Sequence, residues 1–282
     1  MPRAIVLNSA SKANTTGGTF ADTLTANSGD SLSIPNLQSG QGKIMRMWGT
    51  DSDAVAELAL TAGRVESIHD PQYGVRFNIP SLALGGAGTA ASYPLIEAPN
   101  YLDVFTGDTL TMTVTTTAAD DVLVSWLTEY QDLPGVQASF ANWDSVKANR
   151  FTEIGVRCAP VASATPGLYG TSRAVNADDT RWTGGRWYAI IGFTVQTVCT
   201  TVSFKGPMWG NFRFGASAGA PFLNTDNYFI SLQQQYPGEN VIPVFNGYDA
   251  GSVLMEVADG EASTSPKIDI IAVECKNNPA VG

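Results

Sequence analysis

Histidine occurs once in the 282 residues, at His69 in Ser67-Ile68-His69-Asp70-Pro71. A Ser-His-Asp triad would have to use it, and a metal site built from a histidine cluster is excluded. The position reads as a loop histidine before a proline turn. Cysteine occurs three times, at Cys158, Cys199 and Cys275, all in the second half and none at close metal-ligand spacing. An odd, widely spaced set reads as buried thiols, not as a disulfide scaffold. There is no Gly-x-Ser-x-Gly and no glycine loop carrying a lysine for phosphate. Gly85-Gly86-Ala87-Gly88 precedes no helical pattern and reads as a loop. No apolar run approaches the roughly 18 residues of a membrane helix. In residues 1–20, Ala4-Ile5-Val6-Leu7 is too short for a signal-peptide core, with Asn8 and Lys12 interrupting it. Export by that route is not expected.

Charge is also scarce, at 15% of residues, and mostly negative, with a net of −10. Residues 1–133 hold 6 basic and 14 acidic side chains, and residues 134–282 hold 10 and 12. Neither half is basic, so direct binding to a phosphate backbone is not expected. What is abundant is 44% hydrophobic residues with 28 glycines and 15 prolines. That composition describes a folded chain of many short strands and turns.

The strand pattern repeats. Val104-Phe105-Thr106-Gly107, Thr109–Val114 and Val122–Leu127 are echoed by Val244-Phe245-Asn246-Gly247, Ser252–Val257 and Ile268–Glu274, with the Val-Phe-x-Gly elements 140 residues apart. Two shorter echoes are Met47-Trp48-Gly49 with Met208-Trp209-Gly210, and Phe77–Leu82 with Phe229–Leu232. Further strands are read at 43–48, 54–61, 73–79, 101–105, 151–158, 186–198, 212–214, 228–232 and 241–245. A hairpin is read over 19–34, turning at 28–30. The segment 159–185 reads as one long loop, a surface tower or edge loop. Val136, Phe140, Trp143 and Val146 fall at helical spacing and predict a short helix.

The expected organisation is a flexible N-terminal arm (1–18), a first β unit (19–133), a connector with a short helix (134–150), a second β unit (151–276) and a tail (277–282). Seven or eight strands in a unit of about 130 residues indicate a sandwich or closed barrel, and eight strands in two sheets is a jelly roll. The fold class read is all-β: two tandem eight-stranded jelly-roll sandwiches with a short connecting helix.

From about Phe20 to Cys275 this organisation resembles the double jelly-roll major capsid proteins of tailless icosahedral viruses, including phages with an internal membrane. The resemblance rests on architecture and not on a short motif. It implies a structural virion protein made in the host cytoplasm, with no enzymatic activity and no cofactor. It implies a homotrimer whose six rolls form a pseudo-hexagonal capsomer, contacting neighbouring capsomers, minor capsid or vertex proteins and an internal membrane.

No catalytic, cofactor-binding or metal-binding residue is assigned. The acidic pairs Asp51/Asp53, Asp120/Asp121, Asp178/Asp179 and Asp259/Glu261 read as turn caps ahead of calcium or catalytic sites. An alternative function is a carbohydrate-binding or glycoside-active sandwich, using Trp182, Trp187, Tyr188 and Trp209 as a platform. Trp187 and Tyr188 are adjacent on a strand and face opposite ways, so core or interface packing is the favoured reading.

Overall fold

A computed structural model describes residues 4–12, 20–27, 30–37, 40–50, 55–61, 75–77, 90–93, 102–116, 122–136, 139–165, 168–195, 201–217, 225–235, 237–258 and 266–280. His69, Cys199, Gly85–Gly88 and the pairs Asp51/Asp53, Asp120/Asp121 and Asp259/Glu261 lie outside them.

The first half supplies ten strands: β1 (Ala4–Lys12), β2 (Phe20–Thr23), β3 (Thr25–Ala26), β4 (Gln41–Thr50), β5 (Val55–Thr61), β6 (Val75–Phe77), β7 (Ala90–Tyr93), β8 (Leu102–Phe105), β9 (Thr111–Thr116) and β10 (Val122–Tyr130). The second half supplies β11 (Phe140–Ala141), helix α1 (Trp143–Asn149), β12 (Arg150–Cys158), β13 (Arg173–Ala174), β14 (Trp187–Val195), β15 (Thr201–Lys205), β16 (Phe214–Ser217), helix α2 (Tyr228–Gln235), β17 (Ile242–Asn246), β18 (Leu254–Ala258) and β19 (Ile268–Cys275). The all-β class holds.

Setting aside the short additions β3, β7 and β11, each half has eight strands. In the first, β1-β10-β4-β8 form one sheet and β2-β9-β5-β6 the other. In the second, the sheets run β12-β19-β14-β17 and β13-β18-β15-β16. Numbered from one to eight within each half, both give the orders 1-8-3-6 and 2-7-4-5. That is the jelly roll, two interlocked Greek keys in facing sheets. The repeat seen in the sequence is now explained: the matched segments are strands six, seven and eight of each roll.

Each strand follows its residues. Strand β19 alternates buried Ile268, Ile270 and Ala272 with half-buried Asp269 and Ile271, the period of a one-sided sheet. Strand β14 instead buries Tyr188 through Phe193 continuously, because its outer face is covered too. The cover is a 3-10 turn, Thr225–Asn227, leading into α2. Contact is so close that a Cβ at Gly192 would run into the backbone carbonyl oxygens of Thr225 and Asp226. Helix α1 is capped by Asn142, whose Oδ1 accepts from Ser145 N at 2.8 Å.

Several sequence expectations are corrected. Residues 4–12 are no flexible arm: β1 is buried between β10 and β3, as the first strand of the first roll. Segment 228–232 is helical, burying Phe229 and Leu232 three residues apart against β14; packing there overrides the β-prone Tyr-Phe-Ile composition. The 159–185 loop contains β13, too short at two residues to show a period. Thr25–Ala26 pairs with β1 and Ser33 bridges to Thr109, so among the described residues the two sides of the expected hairpin do not pair with each other. The predicted connector helix begins only at Trp143, since Phe140 is in β11. Met47-Trp48-Gly49 lies in β4, whereas Met208 and Trp209 lie in a 3-10 turn between β15 and β16, so that echo marks no equivalent position.

Substituting Gly192→Val should lower stability by at least about 3 kcal/mol, beyond ordinary overpacking, because rigid backbone is the obstacle. A thermal melt equal to the unsubstituted protein would contradict the packing of this turn on β14.

Candidate functional site

The strongest concentration of buried charge lies where the two rolls meet. It starts from the polar half of β1. Asn8, Ser9 and Ser11 are buried although their types favour water. Ser9 and Ser11 have partners at Asn27 and Asp30. Ser11 Oγ donates to Asn27 Oδ1 at 2.9 Å, and Asn27 Nδ2 donates to Ser9 Oγ at 2.9 Å. The Asp30 carboxylate accepts from Ser9 N at 3.1 Å and Ser9 Oγ at 3.0 Å. These bonds satisfy the polar groups that burial strips of water.

The second roll meets this edge at Arg213, immediately before β16. Leu7 N donates to Arg213 O at 2.8 Å, so β1 and the β16 edge touch through backbone. The Arg213 side chain then joins one carboxylate from each roll. Its Nη1 is 2.6 Å from Asp30 Oδ1 and its Nε is 2.8 Å from Glu256 Oε2. All three side chains are no more than 4% exposed. Glu256 on β18 also accepts from Lys205 Nζ and Ser172 Oγ, each at 2.5 Å. The Tyr169 ring lies 4.1 Å from the Arg213 guanidinium carbon, a cation–π contact. Ser125 on β10 and Thr201 on β15 add a buried hydroxyl pair at 3.1 Å. Beside the ions is a cavity of about 260 Å³ lined by Val6, Asn8, Ile34, Tyr130 and Phe212.

The two carboxylates sit in different electrostatic positions. Burial pushes Asp30 up to about 6, against the opposing pull of Arg213 and the Ser9 donors. Burial also works to raise Glu256, but Arg213, Lys205 and Ser172 outweigh it and hold that carboxyl below its ordinary value. Arg213 keeps its charge: burial disfavours it, and Asp30, Tyr169 and Glu256 more than compensate.

The residues weighed from sequence fall elsewhere. Tyr188 and Trp209 are fully buried, Trp182 nearly so, and Trp187 packs half-buried against the core. Trp182 Nε1 donates to Val175 O at 3.0 Å and Trp209 Nε1 to Ser139 O at 3.2 Å. Three are core residues and Trp187 packs beside them, so the four make no sugar platform. Asp178 accepts from Ala159 N at 2.9 Å and pairs with Arg173; Asp179 accepts from Arg181 N at 3.0 Å and pairs with Arg181. Both serve as caps, and the paired arginines hold both carboxyls below the ordinary range. Cys158 and Cys275 are buried thiols pushed up to about 12 and about 11 by burial. The sequence reading missed the Asp30–Arg213–Glu256 cluster. Its one local signal was the arginine between Phe212 and Phe214, in a segment read as a short strand.

The strand orders and the junction define a tandem double jelly roll. No protein-family model matches the chain, and no curated protein matches it. Among solved structures it is similar to the major capsid protein P2 from Bacteriophage PM2, at 9% identity, covering 98% of this chain and 99% of that one, with a TM-score of 0.29. It is similar to the PBSX exported protein XepA at 11% identity, covering 96% and 85%, with a TM-score of 0.19. The STIV MCP matches at 9% identity, covering 97% of each chain, with a TM-score of 0.22. Likenesses at such scores carry no argument about the role of this chain.

Arg213→Met would leave two buried carboxylates without their shared cation, so a loss of about 3–5 kcal/mol in urea unfolding is expected. Arg181→Met, at a side chain 55% exposed, should cost under about 1 kcal/mol. Equal costs would contradict the junction.

The two acids predict opposite pH behaviour. The Asp30 carboxyl is raised on folding, so its contribution is full below pH 3.8 and is lost as pH rises through about 6. Glu256 is lowered, so its contribution is present above pH 4.5 and is lost as pH falls through its folded value. Relative to Asp30→Asn, the unsubstituted protein should lose up to about 3 kcal/mol between pH 4 and pH 7. A flat difference in denaturation measured across that range would contradict the burial of Asp30.

Proposed function

We propose that the chain is a structural virion protein, the major capsid protein of an icosahedral shell. The observation that carries this reading is the duplication itself: one jelly-roll strand order occurs twice in a single chain, the copies joined by a buried ionic contact. Two rolls held at a fixed angle form a building block with two similar wedges. Three such chains around a threefold axis place six rolls in a ring, which tiles as a hexagon although the symmetry is only threefold.

The subunit is then a homotrimer that meets neighbouring trimers, and vertex or minor capsid proteins, in the virion. Its acidic balance in both halves suits contact with protein more than with nucleic acid. Among the described residues no helix is long and apolar enough to cross a membrane. The burial of Trp182, Tyr188 and Trp209 disfavours the carbohydrate-binding alternative, which needs them exposed.

Light scattering on the purified full-length chain should give a species of three times the 29.8 kDa protomer, with larger assemblies at high concentration. A strict monomer at every concentration and salt would overturn the proposal.

A further inference from the structure

Among the described residues four large hydrophobic side chains are exposed, Phe151, Val161, Leu168 and Tyr248. The two aromatic ones stand at one end of the β12-β19-β14-β17 sheet. Arg150 and Trp187 both pair with Cys275, and Trp187 pairs with Asn246, so the start of β12, the end of β19, the start of β14 and the end of β17 lie side by side. The outer two of these strand ends are about 14 Å apart at ordinary strand spacing. Phe151 belongs to one of them, and Tyr248 follows the other by two residues. Arg186 stands between, its guanidinium carbon 5.0 Å from the Phe151 ring centre, and it pairs with Glu274 at 3.4 Å.

Tyr248 is 81% exposed and yet held in place. Its ring lies so closely on the Gly184 backbone that a Cβ there would run into it. Asn246 Oδ1 accepts from Tyr248 N at 3.1 Å and from Gly185 N at 3.3 Å, which ties the two turns together. An exposed ring fixed in this way loses little freedom on binding. Tyrosine, phenylalanine and arginine are also the residue types that anchor protein interfaces.

The topology gives this row a partner. The second roll meets its own first roll through Thr201 on β15 and Arg213 beside β16. Both lie on the β13-β18-β15-β16 sheet, so the sheet that ends in the aromatic row is the far one of the sandwich. In a threefold ring first and second rolls alternate, and every contact between chains joins a second roll to the first roll of the next chain. Charge favours the same pairing. Residues 1–133 hold 6 basic and 14 acidic side chains against 10 and 12 in residues 134–282. Alternation sets the more acidic half beside the less acidic one and beside the exposed Arg186, whereas two first rolls in contact would repel. We infer that Phe151, Arg186 and Tyr248 seat the second roll on the first roll of the next copy in the trimer. The inference rests on the proposed capsomer, and adds to it a named surface and a heterologous contact.

Sedimentation velocity of the full chain measures the trimer population. Tyr248→Ala and Phe151→Ala should each weaken the trimer at least about tenfold, and Arg186→Glu should weaken it too. Val161→Ala, at a side chain 51% exposed beyond the other end of β12, should leave it unchanged. A photo-crosslinking benzophenone side chain in place of Tyr248 should give a covalent dimer, with the cross-links in residues 1–133 of the other copy. That arm decides the matter even if an alanine variant melts early. Trimers as stable in the Phe151 and Tyr248 variants as in the wild-type chain would overturn the surface while leaving the trimer standing. So would cross-links within residues 134–282 of the other copy, or no covalent dimer from a trimeric sample. A wild-type chain that stays monomeric would overturn the assembly reading with it.

Discussion

Arg213 is the residue on which the relation between the two rolls depends. It is buried, it carries its charge, and its two counter-ions come from different halves of the chain, Asp30 from the first and Glu256 from the second. A buried cation with a single carboxylate and unmatched donors would be a net cost; one that shares two carboxylates and an aromatic face is satisfied in one geometry only. Apolar surfaces at the same place would tolerate sliding. The ionic contact does not, because Nη1 and Nε must meet carboxylates fixed by Ser9 on one side and by Lys205 and Ser172 on the other. The backbone bond from Leu7 to Arg213 adds a second constraint beside the first. In the proposed shell subunit such rigidity has a use, since the angle between wedges determines whether a ring closes.

The β1 strand has to be polar for this to work. Its first four residues, Ala4 to Leu7, are apolar and join the core. Further along, Ser9 and Ser11 carry the hydrogen bonds that hold Asn27 and Asp30. One strand thus serves the core of its own roll and the contact with the other.

This division of labour also explains which parts of the fold were legible in the sequence. Strands six to eight of each roll were visible as a repeat because Val104 and Val244, Leu110 and Val253, and Val124 and Ile270 are core residues. The jelly-roll class came from their spacing. Strand β1 was misread because serine and asparagine look solvated when their partners stand 16 to 21 residues away. Helix α2 was misread because its residues favour strands and only the covering of β14 makes them helical. Strand β13 is too short to have a period. The ionic junction was not legible at all: Asp30 and Arg213 are 183 residues apart, and no local pattern links them. The aromatic residues, by contrast, were read as core or interface residues, and Trp182, Tyr188 and Trp209 lie in the core.

The most direct measurement of the central claim is an electron cryo-microscopy reconstruction of the assembled protein at side-chain resolution. The account predicts six jelly rolls around each threefold axis, two from each chain, with Arg213 between Asp30 and Glu256 in every copy. A reconstruction with the two rolls of a chain apart and Asp30 in solvent, or with no threefold ring, would contradict it.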